Sequence, residues 1–189
     1  MKTSREELLD LGEEIVCRQG FGGFSYGALA DRAGIRKASI HHHFPSKSDF
    51  GRALMNRCVR RVERAFEALE TDRRRGSALL RSVIQTRRTG CAHSGAVDLV
   101  TAMSADPAVT DPATREGLAS ARETLVRHIA HALQVGRRDR TIAVAGDIEE
   151  EARAVFAQIA GAELAARASG NVAEFDRALA TLDRRMSAY

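Results

Sequence analysis

No apolar run in the sequence approaches the roughly 18 residues that a membrane-spanning helix requires. Its opening, from Ser4 onward, is polar and amphipathic instead of a basic stretch leading into an apolar segment. Both absences lead to the expectation of a cytoplasmic protein with no membrane partner. Cysteine is scarce: Cys17, Cys58 and Cys91 are odd in number and far apart, which argues against a disulfide framework and against a CxxC metal site. There is no strand-like alternation and no Asn-Gly or Asp-Gly pair to close a hairpin. A Gly-x-Ser-x-Gly elbow, a phosphate-cradling glycine loop and a cysteine with a matched base are also missing, so neither an enzyme nor a cofactor is expected.

What remains is a helical chain. At 189 residues, with 44% hydrophobic and 29% charged residues, it can bury a sizeable core and form one large or two smaller units. Ser4 and Glu7 form a capping box, and Leu8, Leu11 and Ile15 make the apolar stripe of a first helix that ends near Gly20 to Gly23. After Pro45, Ser46 and Asp49 open a long helix, expected over 46–70, whose Phe50, Leu54, Cys58, Val62 and Phe66 recur every three or four residues. Further along, Asp111 before Pro112, Asp147 with Glu150, and Asn171 with Glu174 cap helices of about 20, 20 and 15 residues. Gly76, Gly90, Gly136 and Gly170 are expected to mark breaks. The fold class is all-α: an N-terminal three-helix domain over 1–47 and a helical domain over 48–189, joined by the long helix.

The stretch from Ser25 to Phe44 reads as helix, tight turn, helix. Leu29, Ala30 and Ala33 give the first helix one apolar face, Gly34 supplies the turn, and Ile35 and Ile40 fold the second helix back. Arg36, Lys37, Ser39, His41 and His42 then lie on or beside an outer face of the kind that enters a major groove. Charge agrees with this placement. Up to Arg61 there are 11 Lys and Arg against 7 Asp and Glu, an excess equal to the net +4 of the whole chain. The partner expected is double-stranded DNA.

In the second domain, Phe66, Val83, Ile84, Met103 and Leu125 are candidates to bound an apolar cavity, with Cys91 and His128 as polar members of its wall. A helix from about Ile148 to Ala168 is apolar on two sides. Ala157, Gly161 and Ala165 are small enough for a second helix to approach, and Val155, Ile159, Phe175, Leu179 and Leu182 complete the face expected to form a homodimer. Two further readings concern sensing. Cys91 after Gly90 at a helix start would gain thiolate character and redox reactivity. His93, His128 and His131 could gather around a metal, whereas the adjacent His41, His42 and His43 point about 100° apart and cannot, so no metal site is expected there. A rival of another class is a helical small-molecule binding protein or enzyme with a vestigial head.

Phe24-Ser25, Leu29-Ala30, Ala33-Gly34-Ile35, Lys37-Ala38-Ser39-Ile40 and His42-His43-Phe44-Pro45-Ser46-Lys47 resemble the signature of tetracycline-repressor (TetR) family regulators. About 45 residues carry the resemblance. It implies a homodimeric repressor with a small-molecule effector pocket in its C-terminal domain. Position by position, it implies Ser25 on a phosphate, Arg36, Lys37, Ala38 and Ser39 at bases or nearby backbone, and His41, His42 and Lys47 on phosphates. Arg36 stands where a Ser or Thr cap is common in that family, and His41 where Tyr is common.

Overall fold

The computed structural model describes residues 3–70 and 74–186, and among these it contains nine helices and no strand. They are α1 (Arg5–Gly23), α2 (Tyr26–Ala33), α3 (Lys37–His43), α4 (Lys47–Glu70), α5 (Gly76–Ser94), α6 (Leu99–Ser104), α7 (Pro112–Arg138), α8 (Ile148–Ser169) and α9 (Ala173–Met186). The capping signals hold. Ser4 and Glu7 exchange both bonds of a capping box, Ser25 accepts from the Ala28 N–H, and Asp147 accepts from Glu149 and Glu150. Asp111 takes the Thr114 N–H at 2.8 Å, and Asn171 that of Ala173 at 2.9 Å.

Two expected breaks are absent. Gly90 and Gly136 both lie inside helices, α5 and α7. At Gly136 the reason is space, since a Cβ there would sit 2.4 Å from Ile142, while one on Gly76 would sit 2.0 Å from the Gly136 nitrogen. These glycines bring the start of α5 against α7; they do not end a helix. Gly34 and Gly170 do serve as left-handed C-caps, at φ +65° each. Helix α6, capped by Asp98, had no counterpart in the sequence reading, because five buried residues in a row carry no helical period.

Packing divides the chain into two compact units, and the division is not at residue 47. One holds the residues up to Arg61 together with Asp98–Ala121; the other holds Val62–Val97 and the chain from Arg122 onward. The first unit is organised around an aromatic cluster. Phe24 stacks on Phe50 at 4.5 Å, Phe44 meets Phe50 edge-on at 4.9 Å, and α1 passes close beside them at Gly12, where a Cβ would lie 2.2 Å from the Phe50 ring. Leu8, Leu29, Ile40 and Leu54 are wholly buried around it. Each such side chain contributes about 1.5–3 kcal/mol through burial. Arg57 then ties α4 to α1 through Asp10 and Glu13, both at 2.6 Å, and Arg61 adds a second bond to Glu13 at 2.7 Å. Helix α6 packs on α1 in the same unit.

In the second unit, α8 and α9 pack on each other and α5 packs on α8. Its core includes Leu79, Leu80, Leu133, Val155, Ile159, Phe175, Leu179 and Leu182, all under 5% exposed. Five of these residues correct the expected dimer face. Val155, Ile159, Phe175, Leu179 and Leu182 are consumed by the chain's own core, because the most apolar side of an amphipathic helix goes first to its own fold. Ala157, Gly161 and Ala165 do face outward, on an exposed α8 strip with Ala154, Leu164 and Ala168.

Candidate nucleic-acid interface and effector unit

The presentation of α3 follows from one buried residue. Ile40 is fully buried, and Gly34 lets the chain turn so that the Ile35 N–H bonds back to the Ala30 carbonyl at 3.1 Å. With Ile40 fixed inward, Arg36, Lys37, Ala38, Ser39, His41 and His42 are all exposed, and His43 is half-buried beside Phe44. The Lys37 stem lies across α2 at Gly27, where a Cβ would be 3.2 Å from its Cε. Arg36 is the N-cap of α3 and makes no side-chain cap bond, which leaves its guanidinium free to reach outward.

Three features of this surface were not foreseen. Tyr26 donates its hydroxyl to the carbonyls of Phe44 and Ser46 at 2.9 and 2.6 Å, so the start of α2 is fastened to the segment between α3 and α4. Its phenol is pushed up to about 12 by burial and by Asp49. His41 stands edge-on to the Tyr26 ring at 4.9 Å, with Nδ1 3.2 Å from the Pro45 carbonyl. Lys47 folds over Phe21 at 4.8 Å and donates to the Gly22 carbonyl at 3.4 Å. Burial lowers its pKa, and Asp106 opposes that shift.

Asp106 is the third feature. Its carboxylate accepts the Gly22 N–H at 2.7 Å and the Ala108 N–H at 2.8 Å, and a Cβ on Gly20 would lie 2.5 Å from it. Although burial works to raise the carboxyl's pKa, the backbone N–H donors and Lys47 outweigh it and hold the group below the usual range. Gly20, at φ +78°, breaks α1 at this contact. A Gly-Phe-Gly-Gly run gives no sign in sequence that its N–H groups await a carboxylate 84 residues away.

The second unit contains most of the candidate pocket residues. Phe66 stacks flat on His128, with ring centroids 4.8 Å apart, and His131 meets the same ring edge-on at 5.9 Å. Leu125 and His128 are buried, and Ile84 is partly buried. Met103 belongs instead to α6 and the first unit. Cys91 is not at a helix start. It lies in the last turn of α5, where its carbonyl accepts the Gly95 cap, and burial pushes its thiol up to about 11 with Glu163 adding to the shift. Both the low exposure and the helix end disfavour thiolate. No group of three His, Cys, Asp or Glu suited to a metal occurs among the described residues, and the His93 side chain lies outside them. Nor is any helix of the described residues long and apolar enough to cross a membrane.

Comparison with known proteins agrees with this geometry. Residues 8–54 match the family model described as bacterial regulatory proteins, tetR family. The chain is 27% identical over 182 residues to the HTH-type transcriptional repressor NemR of Escherichia coli K12, covering 94% of this chain and 90% of that one. A TetR-family transcriptional regulator from Agrobacterium tumefaciens superposes with a TM-score of 0.87 at 25% identity, over 96% of both chains. The reduced form of E. coli NemR gives 0.78 at 25% identity, over 94% of this chain and 93% of that one. An outward-facing α3 held by Ile40 and Gly34 thus lies in a head that matches the tetR family model, in a chain similar over nearly its whole length to tetR-family transcriptional regulators.

Proposed function

We propose that the protein is a repressor that binds an approximately palindromic operator as a homodimer and leaves it when a small molecule occupies the second unit. One observation carries the DNA half: every polar residue from Arg36, the N-cap of α3, to His42 is exposed while Ile40, among them, is wholly buried. A helix held by one apolar residue and otherwise solvated is built to offer side chains to a groove. Arg36, Lys37, Ala38 and Ser39 are the base-facing set. Ser25, His41, His42 and Lys47 serve the phosphates, with Ser25 also capping α2.

The dimer is assigned to the outward strip of α8, where Ala154, Ala157, Gly161, Leu164, Ala165 and Ala168 are exposed and Leu164 is the one large apolar side chain left 40% exposed among the described residues. A second copy on this strip would give the assembly two α3 helices. Effector release requires only that the small molecule bind one arrangement of the protein better than the other. No catalytic step is needed.

The test is selection from random duplexes followed by footprinting. Two inverted half-sites about 10–10.5 base pairs apart, or a multiple of that spacing, are expected. Arg36→Ala should weaken binding to the selected site by about 1–3 kcal/mol and relax the base preference at one position of each half-site. Recovery of no preferred duplex would overturn the reading.

A further inference from the structure

One polar atom of the second unit is left unexplained by the fold. His128 is only 5% exposed, and its ring lies at 9° to Phe66. The imidazole bonds the backbone carbonyl of Val62, and Nε2 has no partner, so that bond belongs to Nδ1. The proton is thereby fixed on Nδ1, and Nε2 is a bare acceptor shut away from water. Buried acceptors are ordinarily matched, and an unmatched one marks a place where a donor is missing.

The surroundings say what kind of donor fits. Phe66 is partly exposed whereas the imidazole stacked on it is buried, which gives the pair a wet side and a dry side. The Arg127 guanidinium lies 5.8 Å from the Phe66 centroid, and Arg87 stands 3.8 Å from the buried Glu163 carboxylate. Arg127, His131 and Arg87 all act on the imidazole electrostatically with the same sign. A cationic N–H donor would enter against that field. A neutral O–H donor is favoured by it, because charge builds on its oxygen as it gives its hydrogen to nitrogen. Aromatic surfaces beside the acceptor suit a flat ring on that oxygen.

We propose that His128 Nε2 is the acceptor for a phenol-class effector, whose hydroxyl donates to it while its ring lies among the aromatic side chains around Phe66. The proposal rests on reading the second unit as the effector domain. It adds the chemical class of the effector and the atom that recognises it.

The experiment compares 2-naphthol with 2-methoxynaphthalene, which has the same ring and no donor, by titration into full-length protein carrying 15N-labelled histidine. 2-Naphthol should shift the unprotonated-nitrogen resonance of His128 and bind about ten-fold more tightly than the ether, the worth of one matched hydrogen bond. His128→Phe keeps a flat ring against Phe66 and should bring the two compounds to equal affinity. Equal binding of both to the wild-type protein, no binding of 2-naphthol, or an Nε2 signal already that of a nitrogen bonded to trapped water and unmoved by 2-naphthol would each overturn the proposal. Should His128→Phe fail to fold, the wild-type comparison and the resonance still decide. Retardation of selected duplexes by the same protein keeps the two ideas apart: intact DNA binding without naphthol binding removes the phenol assignment alone.

Discussion

His128 carries a measurable consequence apart from any ligand. Burial, with Arg127 next, lowers its pKa from 6.5 to about 4, so the unfolded chain takes up that proton before the folded one does as pH falls. The stability tied to the neutral ring is therefore whole above about pH 6.5 and is lost on the way down to about pH 4, with a full span of about 3 kcal/mol. Denaturant melts of the wild type and His128→Phe across that interval should show a steeper acid loss in the wild type; parallel curves would contradict a buried neutral imidazole. None of this was legible in sequence, because Phe66, which stacks on the ring, comes from α4, far away along the chain. The exposed character of Arg36, Lys37 and Ser39 was legible, since a single helical turn around Ile40 fixes it. Cys91 was misplaced for a related reason: Gly90 resembles a terminator, and only packing reveals that α5 runs through it.

At the scale of elements, the contact between Asp106 and the end of α1 is the one to test. Asp106→Asn can still accept the Gly22 N–H but no longer offers Lys47 a negative charge. Duplex affinity should rise a few-fold, roughly 0.5–1 kcal/mol, with a steeper salt dependence. Titrations at several salt concentrations check this, and an unchanged affinity would reduce Asp106 to a support for the turn. The crossing of α5 and α7 makes a second prediction. Gly76→Ala places a methyl against the Gly136 backbone and should cost about 1–3 kcal/mol in a thermal or urea melt. Caps and apolar periods predicted the starts of α1, α4, α7, α8 and α9, since those signals are local. The crossing glycines, α6 and the Tyr26 fastening depend on residues far apart in the chain, and no period announces them.

For the whole molecule, the question is which apolar surface remains once each unit has folded. The face expected from sequence combined Ala157, Gly161 and Ala165 with Val155, Ile159, Phe175, Leu179 and Leu182, whereas folding withdraws the last five and leaves a strip of mostly small residues with Leu164. Gly161→Glu is the sharp variant. Nothing lies within 4 Å of a Cβ there, so the single chain accommodates the change, whereas in the dimer proposed above the charge would fall in the seam, where it is costly. Light scattering should report a monomer with an intact helical spectrum and lost operator binding; a stable dimer would move the interface elsewhere.

The sequence has no tryptophan and two tyrosines, Tyr26 and Tyr189. Since the Tyr26 hydroxyl is shared between the carbonyls of Phe44 and Ser46, replacing Tyr189 with phenylalanine would leave one tyrosine, excitable at wavelengths where phenylalanine does not absorb and seated where α2, α3 and α4 are fastened together. Its emission would follow the loosening of the reading head alone, so docking on DNA could be watched optically with no label attached.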